Sequence, residues 1–576
     1  MKTVWGEQLN PDSVLQEYPR PQLVRESYEN LNGLWDIAIT KTDAKPDAWD
    51  GKILVPFSPE AELSGVGKAL QPGQFLWYRR TLTLPEIPAG KRLLLHIGAC
   101  DQRAKVFCNG QYVMEHVGGY TAFSSDLTAF VHAGDNELTV QTRDDREASQ
   151  LSRGKQSSRR GGIWYTATSG IWQTVWLESV PENYIKNIRL TPDFDEKCLL
   201  WHIDADAPAG AHVTVRAAGE VIAAGRADEN GDGVSVVPAE CFHPWLPEDP
   251  YLYDVEITLG DDRVTSYFGM RKFSTVEHKG RRVLALNNEP YFQTGLLDQG
   301  YWSDGLYTPP SDVAMIYDIE TAKRMGFNML RKHIKIEPLR WYYHCDRLGM
   351  LVWQDMVSCF ERFHPLTMQV LPFAGIRLKD APSAKFGRAG QAGRGQYEAD
   401  LAATVELLRN CVSLALWVPF NEGWGQFDAK NAVRLIRRLD PTRLIDHASG
   451  WHDQGVSDVK SLHVYFKSYR FRPDKKGRAV VLSEFGGYNL PVAGHTWNAK
   501  NFGYKGYQTP EALGEAVKTL YETQIIPARR AGLAADVYTQ LSDVEDEVNG
   551  FVTYDRRVEK LPEALMQAIA RELKGE

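Results

Sequence analysis

The sequence predicts a multidomain protein in which two β-sandwiches precede a carboxyl-terminal (β/α)8 TIM barrel. Three observations favour this fold class. Up to about residue 274, short apolar segments alternate with turns and show no helical periodicity. Beyond that point, apolar segments alternate with stretches of period 3.6, as in consecutive βα units. The length of 576 residues is enough for about three domains.

Two strand-rich units make up the first half of the chain. Residues 1–183 contain regularly spaced strand segments such as LWDIAI (34–39) and FLWYRRTLTL (75–84), which predict a β-sandwich. Residues 184–274 contain further segments such as AHVTVRAA (211–218). Because this second unit is roughly 90 residues long, an immunoglobulin-like sandwich is predicted for it.

The remaining residues, 275–576, are predicted to form the barrel. Eight apolar segments are candidate strands, and a helix is expected after each of them. Residues 357–396 are too many for a simple βα loop and include a glycine-rich run, which predicts a long mobile insertion on the catalytic face. The candidate strands are residues 291–297, 327–333, 350–356, 413–420, 443–449, 462–466, 479–485 and 536–541.

Composition excludes several classes of function. With 66 basic and 74 acidic side chains, the net charge of -8 provides no broad cationic surface for nucleic acid or anionic lipid. The amino-terminal segment has no apolar core and no apolar run approaches the length of a membrane span, so a cytoplasmic location is expected. The 7 cysteines show no CxxC pair, so we expect buried free thiols and predict neither a metal site nor a cofactor.

Two of the predicted barrel strands end in glutamate. Strand 4 continues into Asn421 and Glu422, and strand 7 contains Glu484 near its end. A buried carboxylate costs several kcal/mol unless it is paired, so two of them on one rim require an explanation. A single glutamate of this kind is as well explained by a structural salt bridge, but the pair fits the two carboxyl groups of a retaining glycosidase.

Several segments resemble glycoside hydrolase family 2, which comprises β-galactosidases, β-glucuronidases, β-mannosidases and relatives. The resemblance extends over nearly the whole chain and implies a sugar-binding jelly-roll sandwich, an immunoglobulin-like domain and a catalytic TIM barrel acting on a carbohydrate substrate. Whether the chain forms a homo-oligomer stays open. The segments are HPWLPEDPYLYDVEITL (243–259), GFNMLRKH (326–333), WVPFNEGWGQFD (417–428) and LSEFGG (482–487).

The resemblance also implies roles for individual residues. Glu422 corresponds to the general acid/base, Glu484 to the nucleophile, and Asn421 to the residue that binds the substrate 2-hydroxyl. Arg331 and Tyr465 correspond to residues that contact the nucleophile. Other residues of the predicted rim are candidate substrate contacts: Asp298, Trp302, His333, Trp353, Asp355, Trp424, His463 and Gln540.

Two departures from the family pattern fall where the sugar is bound. Family members commonly have Ser-His-Tyr-Pro after the strand 2 arginine, whereas residues 331–335 here are RKHIK. Strand 8 lacks the usual tryptophan, so Gln540 is expected to offer hydrogen bonds in place of a stacking surface. The Asn-x-Lys pair typical of β-glucuronidases has a counterpart in Asn498 and Lys500, although the sequence does not place it at the site.

These patterns favour a neutral sugar and a β-galactosidase-type activity. β-Glucuronidase, β-galacturonidase, arabinosidase and mannosidase activities are the alternatives among enzymes, and a non-catalytic carbohydrate-binding protein is the alternative of another class. The polar loop 153–170 of the first sandwich adds Arg153, Lys155 and Gln156 as candidate contacts, and a solvated loop explains them equally well.

Overall fold

The first domain is a sandwich of two antiparallel sheets. The computed structural model describes residues 1–358 and 364–575. Alternating apolar side chains such as Trp35 and Tyr78 fill the space between the sheets. One sheet contains, in spatial order, Tyr28–Asn30, Val175–Pro181, Lys91–Ile97 and Phe123–Asp126; the other contains Gly51–Val55, Gly33–Thr40, Phe75–Leu84, Gly134–Arg143, Arg103–Cys108 and Gln111–Val117. Short pairs join Cys100–Asp101 to Gly170–Ile171 and Gln156–Ser157 to Tyr165–Thr166.

The second domain is the predicted immunoglobulin-like sandwich. A sheet of three strands faces a sheet of four around an apolar core that includes Trp201 and Tyr253. The first sheet contains Asn187–Asp193, Cys198–Asp204 and Asp232–Val236; the second contains Glu220–Arg226, His212–Ala217, Tyr253–Leu259 and Asp262–Phe268. A hairpin formed by Phe273–His278 and Arg281–Leu286, with the short strand Glu289–Pro290, then leads into the third domain.

The third domain contains the predicted barrel of eight parallel strands. The ladder is continuous from strand 5 through strands 4, 3, 2, 1, 8 and 7 to strand 6. The two ends of the ladder meet where Asp458 N donates to Ile445 O at 3.2 Å. Since all the strands are parallel, their carboxyl ends share one rim. Barrel strands 1 to 8 are Gln293–Asp298, Met329–Lys332, Leu351–Asp355, Leu414–Val418, Leu444–Ile445, Val459–Val464, Ala479–Gly486 and Leu533–Thr539.

Helices surround most of the barrel. The Ser311 hydroxyl accepts from Ala314 N and starts one helix, and Gly349, at φ +72°, ends the next. The α-helices are Val4–Glu7, Asp312–Arg324, Leu339–Leu348, Leu371–Phe373, Gln391–Leu408, Ala429–Leu439, Pro510–Leu520, Ile526–Ala531 and Glu563–Lys574. Leu366–Val370 and Tyr521–Ile525 are π-helical, and Glu62–Ser64, Arg146–Ala148, Ala239–Cys241 and Ser383–Phe386 are 3-10 turns. Tyr488–Asn489 pairs with Lys505–Gly506.

Two sequence-based expectations about the barrel need correction. Strands 5 and 6 are not followed by helices. Residues 446–458 and 465–478, which connect them to the next strands, form turns and extended chain. The glycine-rich run after strand 3 is only partly a loop, since the helix Gln391–Leu408 begins within it and contains Gly393 and Gly395. Residues 359–363 of the predicted insertion lie outside the described residues, and Cys359 is among them.

Arg25 joins the two sandwiches. Its guanidinium donates through Nε and Nη2 to both carboxylate oxygens of Asp262, at 3.0 and 2.9 Å, and through Nη1 to Glu178 at 2.9 Å. Asp262 belongs to the second domain and Glu178 to the first. Because all three side chains are buried, losing one partner would leave an uncompensated charge, and the two domains are held in a fixed relation.

The described cysteines are free thiols, five of them buried. None of the helices that the structure describes is both long and apolar enough to traverse a lipid bilayer.

Asp536, in barrel strand 8, gives a prediction for the pH dependence of stability. Burial raises its pKa to about 7, although Thr294 Oγ1 donates to it at 2.7 Å. The folded state therefore retains a proton that the unfolded chain releases near pH 4, so this stabilisation is complete below about pH 4 and lost as the pH rises to about 7. We expect Asp536→Asn, which stays neutral, to raise the free energy of unfolding at pH 8 by about 2 kcal/mol or more relative to the wild type.

Urea unfolding of both proteins at pH 4 and pH 8 measures this effect. Glu229→Gln, at an exposed turn, is the control and should change neither value. A difference between Asp536→Asn and the wild type that is the same at both pH values would contradict the assignment.

Candidate active site

Arg331, in barrel strand 2, is the buried centre of the rim. Its Nε and Nη2 donate to the two carboxylate oxygens of Asp355, each at 3.0 Å. Nη1 donates to Glu484 Oε1 at 3.0 Å, and Nη2 donates to Asn421 Oδ1 at 2.9 Å. The guanidinium thereby connects side chains at the ends of strands 2, 3, 4 and 7, and its side chain is 0% exposed.

Glu484 is held in its ionised form. Arg331 donates to Oε1, and the Tyr465 hydroxyl donates to Oε2 at 2.5 Å. Burial alone would raise the pKa of Glu484, but the charges of His463 and Arg331, with the Tyr465 hydrogen bond, outweigh burial and lower it. An ionised carboxylate with both oxygens hydrogen-bonded is suited to act as a nucleophile.

Glu422 has the opposite electrostatic environment. Burial raises its pKa and the charge of Glu484 raises it further, while a 2.7 Å hydrogen bond with His463 Nδ1 opposes the rise. Its backbone lies in the left-handed region, at φ +50°, which costs about 1 kcal/mol for a residue other than glycine. The raised pKa favours the protonated form of this carboxyl group, which is the form that can donate a proton.

The two glutamates lie close together. One carboxylate oxygen of Glu422, one of Glu484 and a ring nitrogen of His463 are all within 4.8 Å of one another. Three such atoms could also ligate a cation, but Arg331 and Tyr465 already hydrogen-bond both oxygens of Glu484. Carboxyl groups about 5 Å apart fit a nucleophile at the anomeric carbon and an acid at the glycosidic oxygen bonded to it, whereas inverting glycosidases keep theirs about 6.5 to 9.5 Å apart.

Two serines fix the ring of His463. Its Nε2 lies 3.1 Å from Ser449 Oγ, which donates to Ser483 Oγ at 2.9 Å, and Ser483 Oγ in turn donates to the Leu462 carbonyl. Because the Ser449 proton is used in this chain, Ser449 accepts from Nε2 of His463, and Nδ1 is left to face Glu422. Ser449 ends predicted strand 5 and Ser483 lies near the end of predicted strand 7, but a serine in such a position carries no distinctive sequence signal.

Most of the predicted site residues meet at this rim. Arg331, Asp355, Asn421, Glu422, His463, Tyr465 and Glu484 form one connected network. His333 joins it through a 2.7 Å contact between Nδ1 and Asp355 Oδ2. Burial and then the charge of Lys155 lower the pKa of His333 well below its usual value, so its ring is neutral.

Asp298 is not an open substrate contact. Lys332 Nζ binds its Oδ2 at 2.6 Å, and Gly300 N donates to its Oδ1 at 2.8 Å. Lys332 also pairs with Glu337, which pairs with Lys335 at 2.9 Å. The two lysines that depart from the family pattern thus form a buried ionic cluster beside the rim with Asp298 and Glu337.

Three further predicted contacts are also placed elsewhere. Trp353 is 0% exposed and packs in the apolar interior of the barrel. Both polar atoms of the Gln540 amide are used, since it accepts from Gln299 at 2.8 Å and donates to Asn549 at 2.7 Å. The ring of Trp302 stacks against the Arg556 guanidinium, 4.3 Å from the ring centroid. None of the three presents a free face to a sugar.

The loop 153–170 of the first sandwich covers one side of the rim. Trp164 stacks on Trp424, with ring centroids 5.4 Å apart and planes at 21°. Thr166 N donates to Glu545, in the loop after strand 8, at 2.8 Å. Gln156 is bonded within the sandwich to Asp101 and is not a substrate contact. Two domains therefore form the site together.

Tyr504 is a site residue that the sequence did not single out. Its ring stacks on that of Tyr465 at 3.9 Å with planes at 8°. Tyr504 lies between barrel strand 7 and the helix Pro510–Leu520. The same segment contains Asn498, which donates to Asp546 at 2.5 Å, and Lys500, which is exposed. An aromatic residue in a long loop gives no periodic signal, which is why pattern analysis misses Tyr504.

Three family models match consecutive parts of the chain. They are "Glycosyl hydrolases family 2, sugar binding domain" over residues 69–181, "Glycosyl hydrolases family 2" over 183–271, and "Glycosyl hydrolases family 2, TIM barrel domain" over 310–559. The Glu422 and Glu484 rim lies within the third match.

Curated relatives have two kinds of name. A putative β-glucuronidase of Formosa agariphila is 25% identical over 456 residues, covering 76% of this chain and 39% of the relative. A β-galactosidase of Thermoanaerobacter pseudethanolicus is 27% identical over 306 residues, covering 49% of this chain and 39% of the relative. The chain thus spans about two fifths of the length of these relatives.

Solved structures share the fold over almost the whole chain. A β-D-glucuronidase of Dictyoglomus thermophilum superposes with a TM-score of 0.75 at 16% identity, covering 97% of this chain and 99% of that one. A β-glucuronidase of Ruminococcus gnavus superposes with a TM-score of 0.73 at 15% identity, covering 98% and 99%. At this identity the likeness establishes the arrangement of the three domains.

The hydrogen bond from Tyr465 to Glu484 gives a prediction for pH dependence. Tyr465→Phe removes a donor to the ionised carboxylate, so the pKa of Glu484 should rise. A carboxylate can act as a nucleophile only when ionised, so with Glu484 in that role the acid limb of kcat/KM should move to higher pH by about one unit, the equivalent of a charge-assisted hydrogen bond of about 1.5 kcal/mol. Tyr112→Phe, 55% exposed on the sandwich, should leave the profile unchanged. An unshifted acid limb in Tyr465→Phe would contradict the assignment.

Proposed function

Because this chain belongs to glycoside hydrolase family 2, we propose that it is a retaining exo-β-glycosidase with Glu484 as the nucleophile and Glu422 as the general acid/base. The observation that carries the proposal is that these two carboxyl groups approach within 4.8 Å while their surroundings shift their pKa values in opposite directions. Retaining glycosidases need this spacing and this difference in protonation.

The proposed first step forms a glycosyl-enzyme ester. An oxygen of Glu484 attacks the anomeric carbon while the bond from that carbon to the aglycone oxygen breaks. The proton of Glu422 goes to the departing oxygen, and Arg331 keeps its hydrogen bond to the nucleophile. Asn421, positioned by Arg331, is available for the 2-hydroxyl of the sugar, where hydrogen bonds strengthen in the transition state.

The proposed second step hydrolyses the ester. Glu422, now ionised, takes a proton from water, and the water oxygen bonds to the anomeric carbon. Glu484 leaves as a carboxylate, stabilised again by Arg331 and Tyr465. Two inversions at one carbon retain the β configuration.

The sandwich loop supports exo action. Trp164 on Trp424, with the link from Thr166 to Glu545, covers the rim from one side. A rim covered in this way accommodates the end of a saccharide better than its middle. We therefore propose that one terminal non-reducing sugar is released in each turnover.

For the sugar, two assignments have support. The sequence favours a β-galactoside, and relatives of this chain are named both β-galactosidase and β-glucuronidase. The test is to assay 4-nitrophenyl β-D-galactoside, glucoside, mannoside, glucuronide and galacturonide, and the α-L-arabinoside, at one enzyme concentration. We expect turnover of at least one glycoside, with the anomeric configuration of the first product retained when it is followed by NMR. Turnover of none of them, or an inverted product, would overturn the proposal.

The roles of the two glutamates are tested by removing each carboxylate. Glu484→Ala should lower kcat by at least about 10^4-fold, and added azide should restore turnover and give the α-glycosyl azide, because the small anion fits the space left by the carboxylate. Glu422→Ala should slow substrates with poor leaving groups far more than 2,4-dinitrophenyl glycosides, which need no acid. Near-native turnover by Glu484→Ala would exclude it as the nucleophile.

A further inference from the structure

Lys155 is a nearly buried cation at the catalytic rim that comes from a different domain. It lies in the sandwich loop 153–170 and is 6% exposed. Its Nζ is 5.7 Å from the ring centroid of Tyr165 and 5.7 Å from that of Trp424, the residue two positions after Glu422. The loop thus brings an ammonium group beside the proposed acid/base.

The charge of Lys155 acts on three groups of the rim. Burial raises the pKa of Glu422 and of Asp355, and the Lys155 charge opposes that rise in both. In His333, burial lowers the pKa and the Lys155 charge lowers it further. These groups lie at the carboxyl ends of barrel strands 4, 3 and 2, and the Trp424 ring beside the ammonium follows strand 4.

Lys155 has no anionic partner among the residues that the structure describes. The carboxylates near it are already engaged, because Asp355 binds Arg331 and His333 while Glu422 contacts His463. The two aromatic rings stabilise the cation through their faces and leave its N–H donors free. A buried ammonium without a counter-ion is costly, which points to a ligand that supplies the missing negative charge.

We propose that Lys155 is a specificity-determining residue that binds an anionic substituent, a carboxylate or a sulfate ester, on the glycoside. The inference rests on the proposed function, since it places that substituent in the cleft between Glu422 and the sandwich loop. Both kinds of substituent offer oxygens that accept from the ammonium, and neutral sugars offer only hydroxyl groups.

The other basic side chains described at the rim are poor candidates for binding this substituent, because they are already paired. Arg331 is fully used by Asp355, Glu484 and Asn421. Lys332 and Lys335 are buried in the cluster with Glu337. Recognition of charge is thus assigned to the sandwich, whereas bond cleavage is assigned to the barrel.

The test compares matched anionic and neutral substrates in the full-length enzyme. Values of kcat/KM are measured for 4-nitrophenyl β-D-glucuronide against the glucoside, galacturonide against the galactoside, and galactoside 6-sulfate against the galactoside. For the wild type we expect at least one anionic substrate to exceed its neutral partner, and the arm in which it does so distinguishes carboxylate from sulfate. In Lys155→Met, which keeps the apolar stem, that substrate should lose about 10- to 100-fold and its neutral partner less than about threefold.

Lys430→Met, on the exposed face of a barrel helix, is the charge-matched control and should leave every ratio unchanged. The unfolding midpoint of Lys155→Met is measured alongside to show that the variant is folded. Equal losses on both members of a pair would assign Lys155 a structural role and overturn the proposal. Loss of the preference in Lys500→Met with Lys155→Met unaffected would also overturn it.

Different results would overturn the role of Lys155 and the proposed glycosidase function. A wild type that cleaves neutral glycosides and no anionic one would overturn the role of Lys155 and leave the retaining mechanism standing. A wild type that cleaves no β-glycoside at all would overturn the proposed function itself.

Discussion

The buried guanidinium of Arg331 is the interaction on which the site depends. It is a single rigid group with five donors, and it uses them on side chains from strands 3, 4 and 7 and on the backbone carbonyl of Ser483. A cation in the centre of a barrel is tolerable only because Asp355 and Glu484 balance it. Removing it would take the shared arginine partner from both carboxylates, so the geometry of the rim and its charge balance depend on the same side chain.

The contrast between the two glutamates follows from their neighbours, because desolvation raises the pKa of both. Glu484 has a cation on one oxygen and a phenol on the other, whereas Glu422 has a hydrogen bond with His463 and the negative charge of Glu484 beside it. Ser449 and Ser483, linked by a hydrogen bond, in turn fix the orientation of the His463 ring. The protonation states of the two glutamates thus depend on the side chains that surround them.

The fold class is predicted correctly, and Glu422 and Glu484 attract attention, because both leave periodic signals in the sequence. Apolar alternation marks the sandwich strands, and continuous apolar segments that end in a polar residue mark the rim, which is how Glu422 and Glu484 are found. The direction in which a side chain points at a strand end has no such signal. Trp353 and Asp298 occupy suitable positions along the chain, yet one packs into the barrel interior and the other into an ionic cluster. Tyr504 reaches the site only because a loop folds back over it, and Lys155 because two domains dock.

The sandwich loop that covers the rim separates two tasks along the chain. The groups proposed to cut the bond lie between residues 331 and 484, whereas Lys155 and Trp164 come from a part of the chain more than 150 residues earlier. A change in the loop alters what the cleft accepts without disturbing the charge balance that chemistry requires. This arrangement lets an enzyme lineage acquire new substrates by exchanging a surface loop, while the catalytic machinery is inherited intact.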